Sequence, residues 1–343
     1  MWVADLAIDS AIVFDLGGTH LRCASLVQSE LLNFTRKRIR SFQDGISSAA
    51  IWEEILSTIT DYAASSSNVA GAAAPLAVSF PGPLYEDGRI VNAPTVAGVD
   101  ERVPDVPGEL SRRTGRDVYL LNDVSAAALY LAGRCPWNRF MVVTVSSGIG
   151  SKICYRNSAG LHVLDSGSYS GEIGHFTVDN SEYAPMCDCG RKGHLGAIAS
   201  GRGIERLARQ RAASDPAGFA RSFCRNRFGA SIDNMNNEQH FVPAVCAGDS
   251  WALDVLRQAS QPLSQVLATV IFAAGLQGIL FIGGFAISIG PTYLDLLYKL
   301  IQQHCDYSAL SFSRNMLQFG NMNEEACLRG AAEYALKSLG RNS

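Results

Sequence analysis

The chain has 343 residues, 47% hydrophobic and 18% charged, with a net charge of −3. That length supplies apolar material for two cores, and the dispersed, slightly acidic charge offers no basic stripe to nucleic acid or to a membrane surface. No apolar run reaches ~18 residues, the N-terminus does not read as a signal peptide, and the nine cysteines are an odd, scattered set, so the expectations are no membrane span and reduced thiols in the cytoplasm.

In chain order, an apolar run at 11–14, the turn Asp15-Leu-Gly-Gly-Thr-His20 and a second run at 21–27 predict a β-hairpin. Ile51, Ile55, Ile59 and Tyr62 share one helical face, which predicts a helix over 50–65, and 64–74 reads as a loop. Leu76–Ser79 is a strand that runs into Phe80-Pro-Gly-Pro83, a turn that continues neither a helix nor an inner strand. Val118–Leu121 is a further strand, ending at Asn122-Asp123 before an Ala-rich helix over 124–132. A strand at 141–145, the turn Ser146-Ser-Gly-Ile-Gly150 and a strand through Tyr155 repeat the plan of 11–27, a hint of two domains with related hairpins. Beyond these lie a helix over 202–212, broken helices over 213–240, a long helix over 251–274, a strand over 280–284, a helix over 291–304 begun by Pro291, and a last helix over 324–339. Strands alternating with helices put the chain in the α/β class.

Three glycine turns follow apolar strands. At Gly17 and Gly18 the missing Cβ atoms let backbone N–H groups approach a phosphate, and Thr19 adds a hydroxyl donor. Asp15 makes sense beside them only as the partner of a phosphate-bound Mg²⁺. Ser147 and Gly148 can do the same, and Gly284 would let an adenine ring lie against the backbone. Each is also readable as an ordinary tight turn, the glycines at 283–284 being the weakest of the three signals; together they suggest a nucleotide held in an interdomain cleft. Asp123, at the end of a strand and the start of a helix, fits a general base in a phosphotransferase, and it also fits a plain helix cap. Between 171 and 201, His175, Cys187, Cys189 and His194 supply the four ligands that a tetrahedral zinc site needs.

Asp15-Leu-Gly-Gly-Thr, Pro81-Gly-Pro83, Asn122-Asp123, Ser147-Gly-Ile-Gly150, Gly171-Glu-Ile-Gly-His175, Cys187-Asp-Cys-Gly190 with Gly193, Ser200-Gly201 and Ile282-Gly-Gly284, in this order, resemble the ROK family (repressor, open reading frame, kinase) of sugar kinases. The resemblance implies a two-domain, actin-like and hexokinase-like ATPase fold. It places the domains at 1–122 and 123–323, with the helix 324–339 packing back on the first. It implies Asp123 as general base, Asn92, Asn122, Glu172 and His175 as further substrate ligands, and Asp15, Gly17, Gly18, Thr19, Ser147, Gly148 and Gly284 around ATP and Mg²⁺. His175 would also hold a structural Zn²⁺ with Cys187, Cys189 and His194. The family's repressors carry a DNA reader before the first motif; only 14 residues precede Asp15 here, so a kinase is expected, as a homodimer and with a small-molecule sugar or cyclitol as its partner. A catalytically silent sugar sensor is the alternative of another class.

Three departures stand out. His194 replaces the family's usual third cysteine and keeps a metal ligand. Gly196 stands where glucose-type members carry a carboxylate that contacts hydroxyls near the anomeric end. The expected substrate therefore differs from glucose there: a C7-cyclitol, an amino sugar or a deoxy sugar, with an ordinary glucokinase as the alternative. Ser151-Lys152 replaces glycines, and Lys152 reads equally as a cation near the phosphates or as a solvent-facing side chain.

Overall fold

The structure is a computed structural model, and it describes residues 10–18, 20–41, 44–85, 87–93, 96–98, 103–158, 160–165, 169–305 and 312–342. The chain forms two units, one of residues 1–135, 165–170 and 322–343, the other of residues 136–164 and 171–321. The division falls after Cys135, so the helix Asp123–Ala132 stays with the first unit and does not open the second.

The first unit holds a five-stranded mixed sheet of β1 (Ser10–Leu16), β2 (His20–Val27), β3 (Glu30–Arg38), β4 (Leu76–Phe80) and β5 (Val118–Asn122), in the order β3-β2-β1-β4-β5. The hairpin β1–β2 is antiparallel, and β4 and β5 run parallel to β1. On one face, Ile12, Phe14, Leu76 and Val78 pack against Ile51, Trp52, Ile55 and Ile59 of the helix Ser48–Ser65, the 3.6-residue stripe expected there. The helix Asp123–Ala132 and the last helix, Ala326–Asn342, pack on each other, and the last helix also covers β1, β4 and β5. Small side chains permit this: Ala126, Ala127, Ala331, Ala332 and Ala335 are buried. The stretch read as a loop over 64–74 contains a short helix, Ser67–Ala70.

The second unit repeats the plan. Its strands are β6 (Arg139–Val145), β7 (Ile149–Asn157), β8 (Gly160–Val163), β9 (Gly278–Ile282) and β10 (Leu317–Phe319), in the order β10-β9-β6-β7-β8. The pair β6–β7 is an antiparallel hairpin, and β9 runs parallel to β6. Read outward from β6, the neighbours match those of β1 one for one, so the similarity of the two hairpins extends to the whole sheet. Met141, Val143, Ile279 and Phe281 pack against the long helix Ser250–Ala274 and the helix Pro291–Gln302. Among the described residues, no helix is long and apolar enough to cross a membrane.

Candidate functional site

In the first unit, Asp15 lies near the end of β1, buried, with both carboxylate oxygens engaged. Arg22 Nη1 donates to Oδ2 at 2.7 Å and Ser79 Oγ to Oδ1 at 2.9 Å. A carboxylate held this way reaches a phosphate-bound cation through water more readily than directly. Gly17 and Gly18 form the turn, closed by Gly17 N–H to His20 O at 2.8 Å. Thr19 lies outside the described residues.

The helix after β5 is capped by Asn122. Its Oδ1 accepts from the Val124 and Ser125 N–H groups at 2.9 and 3.3 Å, and its Nδ2 donates to Gly82 O at 3.0 Å. The capping role considered for Asp123 thus belongs chiefly to its neighbour, since a buried side-chain oxygen one residue earlier reaches the orphan N–H groups. Asp123 is the first helical residue, half-buried, and its Oδ1 accepts from Val124 N–H at 2.8 Å. Gly82 abuts Asn92: a Cβ at 82 would stand 2.9 Å from Asn92 O and 2.8 Å from the Phe80 ring. Asn92, Asn122 and Asp123 therefore gather beyond the carboxyl ends of β4 and β5, where ligands of open α/β sheets bind.

In the second unit, the turn Ser146–Gly148 joins β6 to β7, and Thr144 pairs with Ile282, so this turn and Gly283-Gly284 sit side by side at one end of the sheet. Ser147 and Gly284 are exposed, and a Cβ at Gly148 or Gly284 would meet nothing within 4 Å. Neither glycine is demanded by packing, which leaves open backbone for a ligand. The segment Gly171–Gly174 lies flat on β7. A side chain at 171 would collide with Ser151 O, and one at 174 with Ile149 O; Gly171 also has φ +80°, a conformation L side chains rarely adopt. That contact fixes Glu172 and His175, whose Oε2 and Nε2 stand 3.9 Å apart.

His175, Cys187, Cys189 and His194 present donor atoms that all lie within 4.8 Å of one another. His175 Nδ1 is 3.4 Å from His194 Nδ1 and 3.7 Å from Cys187 Sγ, and Cys189 Sγ is 3.2 Å from His194 Nδ1. A tetrahedral zinc with ordinary bond lengths needs donor separations of roughly 3.3–3.8 Å, so the set fits the ion. Burial first, then the neighbouring His175 and Arg191, lowers the His194 pKa, which favours the neutral ring that a metal requires. Burial and the adjacent Cys189 raise the Cys187 thiol, though the Cys189 backbone N–H opposes this.

Two long cations beside these turns are placed by the structure: Lys152, whose two readings the sequence left open, and Arg202, which it did not single out. Lys152 is buried in β7, and its Cδ lies 3.1 Å from where a Gly171 Cβ would be. The solvent-facing reading of this lysine therefore fails: it packs beneath the Gly171–Glu172 turn. Arg202, at the start of the helix Gly201–Ser214, donates from Nε to Ser147 O at 2.8 Å, and its Nη2 lies 2.6 Å from Asp188 Oδ2. An arginine directly after a Ser-Gly pair carries no such signal in sequence.

Residues 11–338 match the family model described as ROK family. The chain is 36% identical over 336 residues to a C(7)-cyclitol 7-kinase of Streptomyces hygroscopicus subsp. limoneus, covering 96% of this chain and 94% of that protein. Among solved structures it resembles a ROK hexokinase from Thermus thermophilus (TM-score 0.72, 24% identity, 97% of this chain and 99% of that one). It also resembles a ROK family glucokinase from Streptomyces griseus in complex with glucose and AMPPNP (TM-score 0.69, 20% identity, 95% and 98%). At these identities the structural likenesses speak for the fold alone.

Proposed function

This chain belongs to the ROK family, and we propose that it is an ATP-dependent kinase that phosphorylates a primary hydroxyl of a C7-cyclitol or similarly modified sugar in place of glucose. The observation that carries this reading is the 36% identity over nearly the whole of both chains to a C(7)-cyclitol 7-kinase. Gly196, where a glucose-binding carboxylate is expected, supports it independently.

In this reading Asp123 accepts the proton of the attacking hydroxyl and aims its oxygen in line with the terminal phosphorus. Asn92, Asn122, Glu172 and His175 hold the other hydroxyls. Asn122 contributes partly by proxy, because its side chain already binds the helix start and Gly82. Gly17, Gly18, Thr19, Ser147, Gly148 and Gly284 would line ATP, and Asp15 would hold its Mg²⁺. A Zn²⁺ on His175, Cys187, Cys189 and His194 supplies rigidity and no chemistry. His175 would hold the ion through Nδ1, the ring atom nearest His194 and Cys187, which would leave Nε2 for a substrate oxygen. The odd, scattered set of nine cysteines supports a reducing, cytoplasmic setting. The protein acts as a homodimer in this proposal, which sedimentation velocity tests.

ATP consumption measured over a panel of cyclitols, amino sugars and hexoses tests the activity. Cyclitol turnover with glucose ignored is expected. Glucose turnover with a low-millimolar Michaelis constant and no cyclitol turnover points to an ordinary glucokinase, and no consumption with any acceptor points to a sugar sensor. Asp123→Asn is expected to lower kcat by about 10²–10⁴-fold with fold and zinc content unchanged; near-wild-type turnover removes Asp123 from its role.

A further inference from the structure

The Ser146–Gly148 turn and the metal loop are joined through one side chain. Gly201 N–H donates to Ser146 O at 2.8 Å, and the next residue, Arg202, donates from Nε to Ser147 O at 2.8 Å. The other arm of the same guanidinium pairs with Asp188 at 2.6 Å, and Asp188 stands between Cys187 and Cys189. We infer that Arg202 is a positioning residue through which metal binding at the Cys187–Cys189 loop tightens nucleotide binding at the Ser146–Gly148 turn. The inference rests on the reading of that turn as a phosphate contact.

The physical link is short. A trans peptide is planar, so pinning the Ser147 carbonyl also fixes the direction of the Gly148 N–H on the other edge of the same peptide. That N–H is one of the donors offered to phosphate. A metal on the two flanking thiolates fixes the Asp188 backbone and thereby the carboxylate that holds the guanidinium. Without the metal the loop loses its cross-link, the anchor of Arg202 moves, and the turn samples orientations that do not bind. Both Arg202 and Asp188 are more than half exposed, so the pair is worth little as an attraction, and its effect is a modest coupling of about three- to fivefold. Because the coupling is an equilibrium one, nucleotide in turn tightens metal binding by the same factor.

The experiment is calorimetric titration of Mg²⁺·AMPPNP into zinc-loaded and chelator-stripped protein, for wild type, Asp188→Asn and Arg202→Met, with zinc content measured for each. Stripping wild type is expected to weaken AMPPNP binding about three- to fivefold. Zinc-loaded Asp188→Asn and Arg202→Met are expected to show that weaker affinity already, with stripping adding nothing, while the Michaelis constant for the acceptor stays at its wild-type value. If stripped protein unfolds, the zinc-loaded variants decide alone. Wild-type AMPPNP affinity in zinc-loaded Asp188→Asn, or an equal loss on stripping in all three proteins, overturns the link. No nucleotide binding by zinc-loaded wild type overturns the kinase reading itself, and the link with it.

Discussion

Position 196 shows what one residue can decide. A Cβ there would stand 3.1 Å from Gly174 O, a tight contact with backbone that a side chain fits only where that carbonyl yields by a few tenths of an ångström. In the proposed function, this glycine takes the place of a carboxylate beside the Glu172–His175 segment. A charge-assisted hydrogen bond of that kind is worth ~1.5–3 kcal/mol, so Gly196→Glu is expected to raise kcat/KM for glucose about 10- to 100-fold, read in a coupled ADP assay. Unchanged glucose turnover in the folded variant would place specificity elsewhere. At this scale the sequence was most legible where the chemistry is local: four metal donors within 20 residues converge in space as their spacing implied. It was less legible at Asn122 and Asp123, because both types cap helices well and the choice depends on where β5 ends. Lys152 and Arg202 were opaque, since a strand or helix position does not reveal which tertiary neighbour a long cation meets.

Helix contacts carry the next set of expectations. Gly330 of the last helix lies against Ala126 O of the helix that Asp123 begins, so close that a Cβ would overlap the carbonyl. Cys327, one turn earlier, points its Sγ to Asp123 O at 3.8 Å. Gly330→Val is expected to wedge the two helices apart, to destabilise the first unit by about 1–3 kcal/mol in thermal unfolding, and to lower kcat because Asp123 moves with its helix. For the metal loop, the raised Cys187 pKa has a definite sign: a thiol protonated at neutral pH must lose its proton to bind the ion. Zinc uptake is therefore expected to release protons and zinc affinity to rise with pH through neutrality, measurable by competition with a chromophoric chelator at several pH values. Elements with a buried stripe, such as the helix Ser48–Ser65, were readable from periodicity. The edge strand β3 was not, because nearly all of Glu30–Arg38 is exposed and alternation has nothing to report. The helix Val106–Thr114 was hidden by Pro107 and Gly108 in its first turn.

At the level of the whole molecule, the resemblance between two glycine hairpins was the visible trace of a repeated sheet order, β3-β2-β1-β4-β5 matched by β8-β7-β6-β9-β10. The repeat was readable only in its first two strands, where both copies keep a strand–glycine–strand pattern; the remaining strands share position and little sequence. The first unit is also discontinuous, closed by residues 322–343, whose helix covers β1, β4, β5 and the helix Asp123–Ala132. On the ribosome, that sheet is made early and stays bare on one side until nearly all of the chain has emerged, whereas most of the second unit comes from one continuous run and can fold sooner. Residues 1–321 without the closing helix are therefore expected to yield a protease-resistant second unit and a digestible first one. In a cell the nascent sheet is therefore expected to engage chaperones, and a fusion that delays or crowds Ala326–Asn342 is expected to cost yield before it costs catalysis.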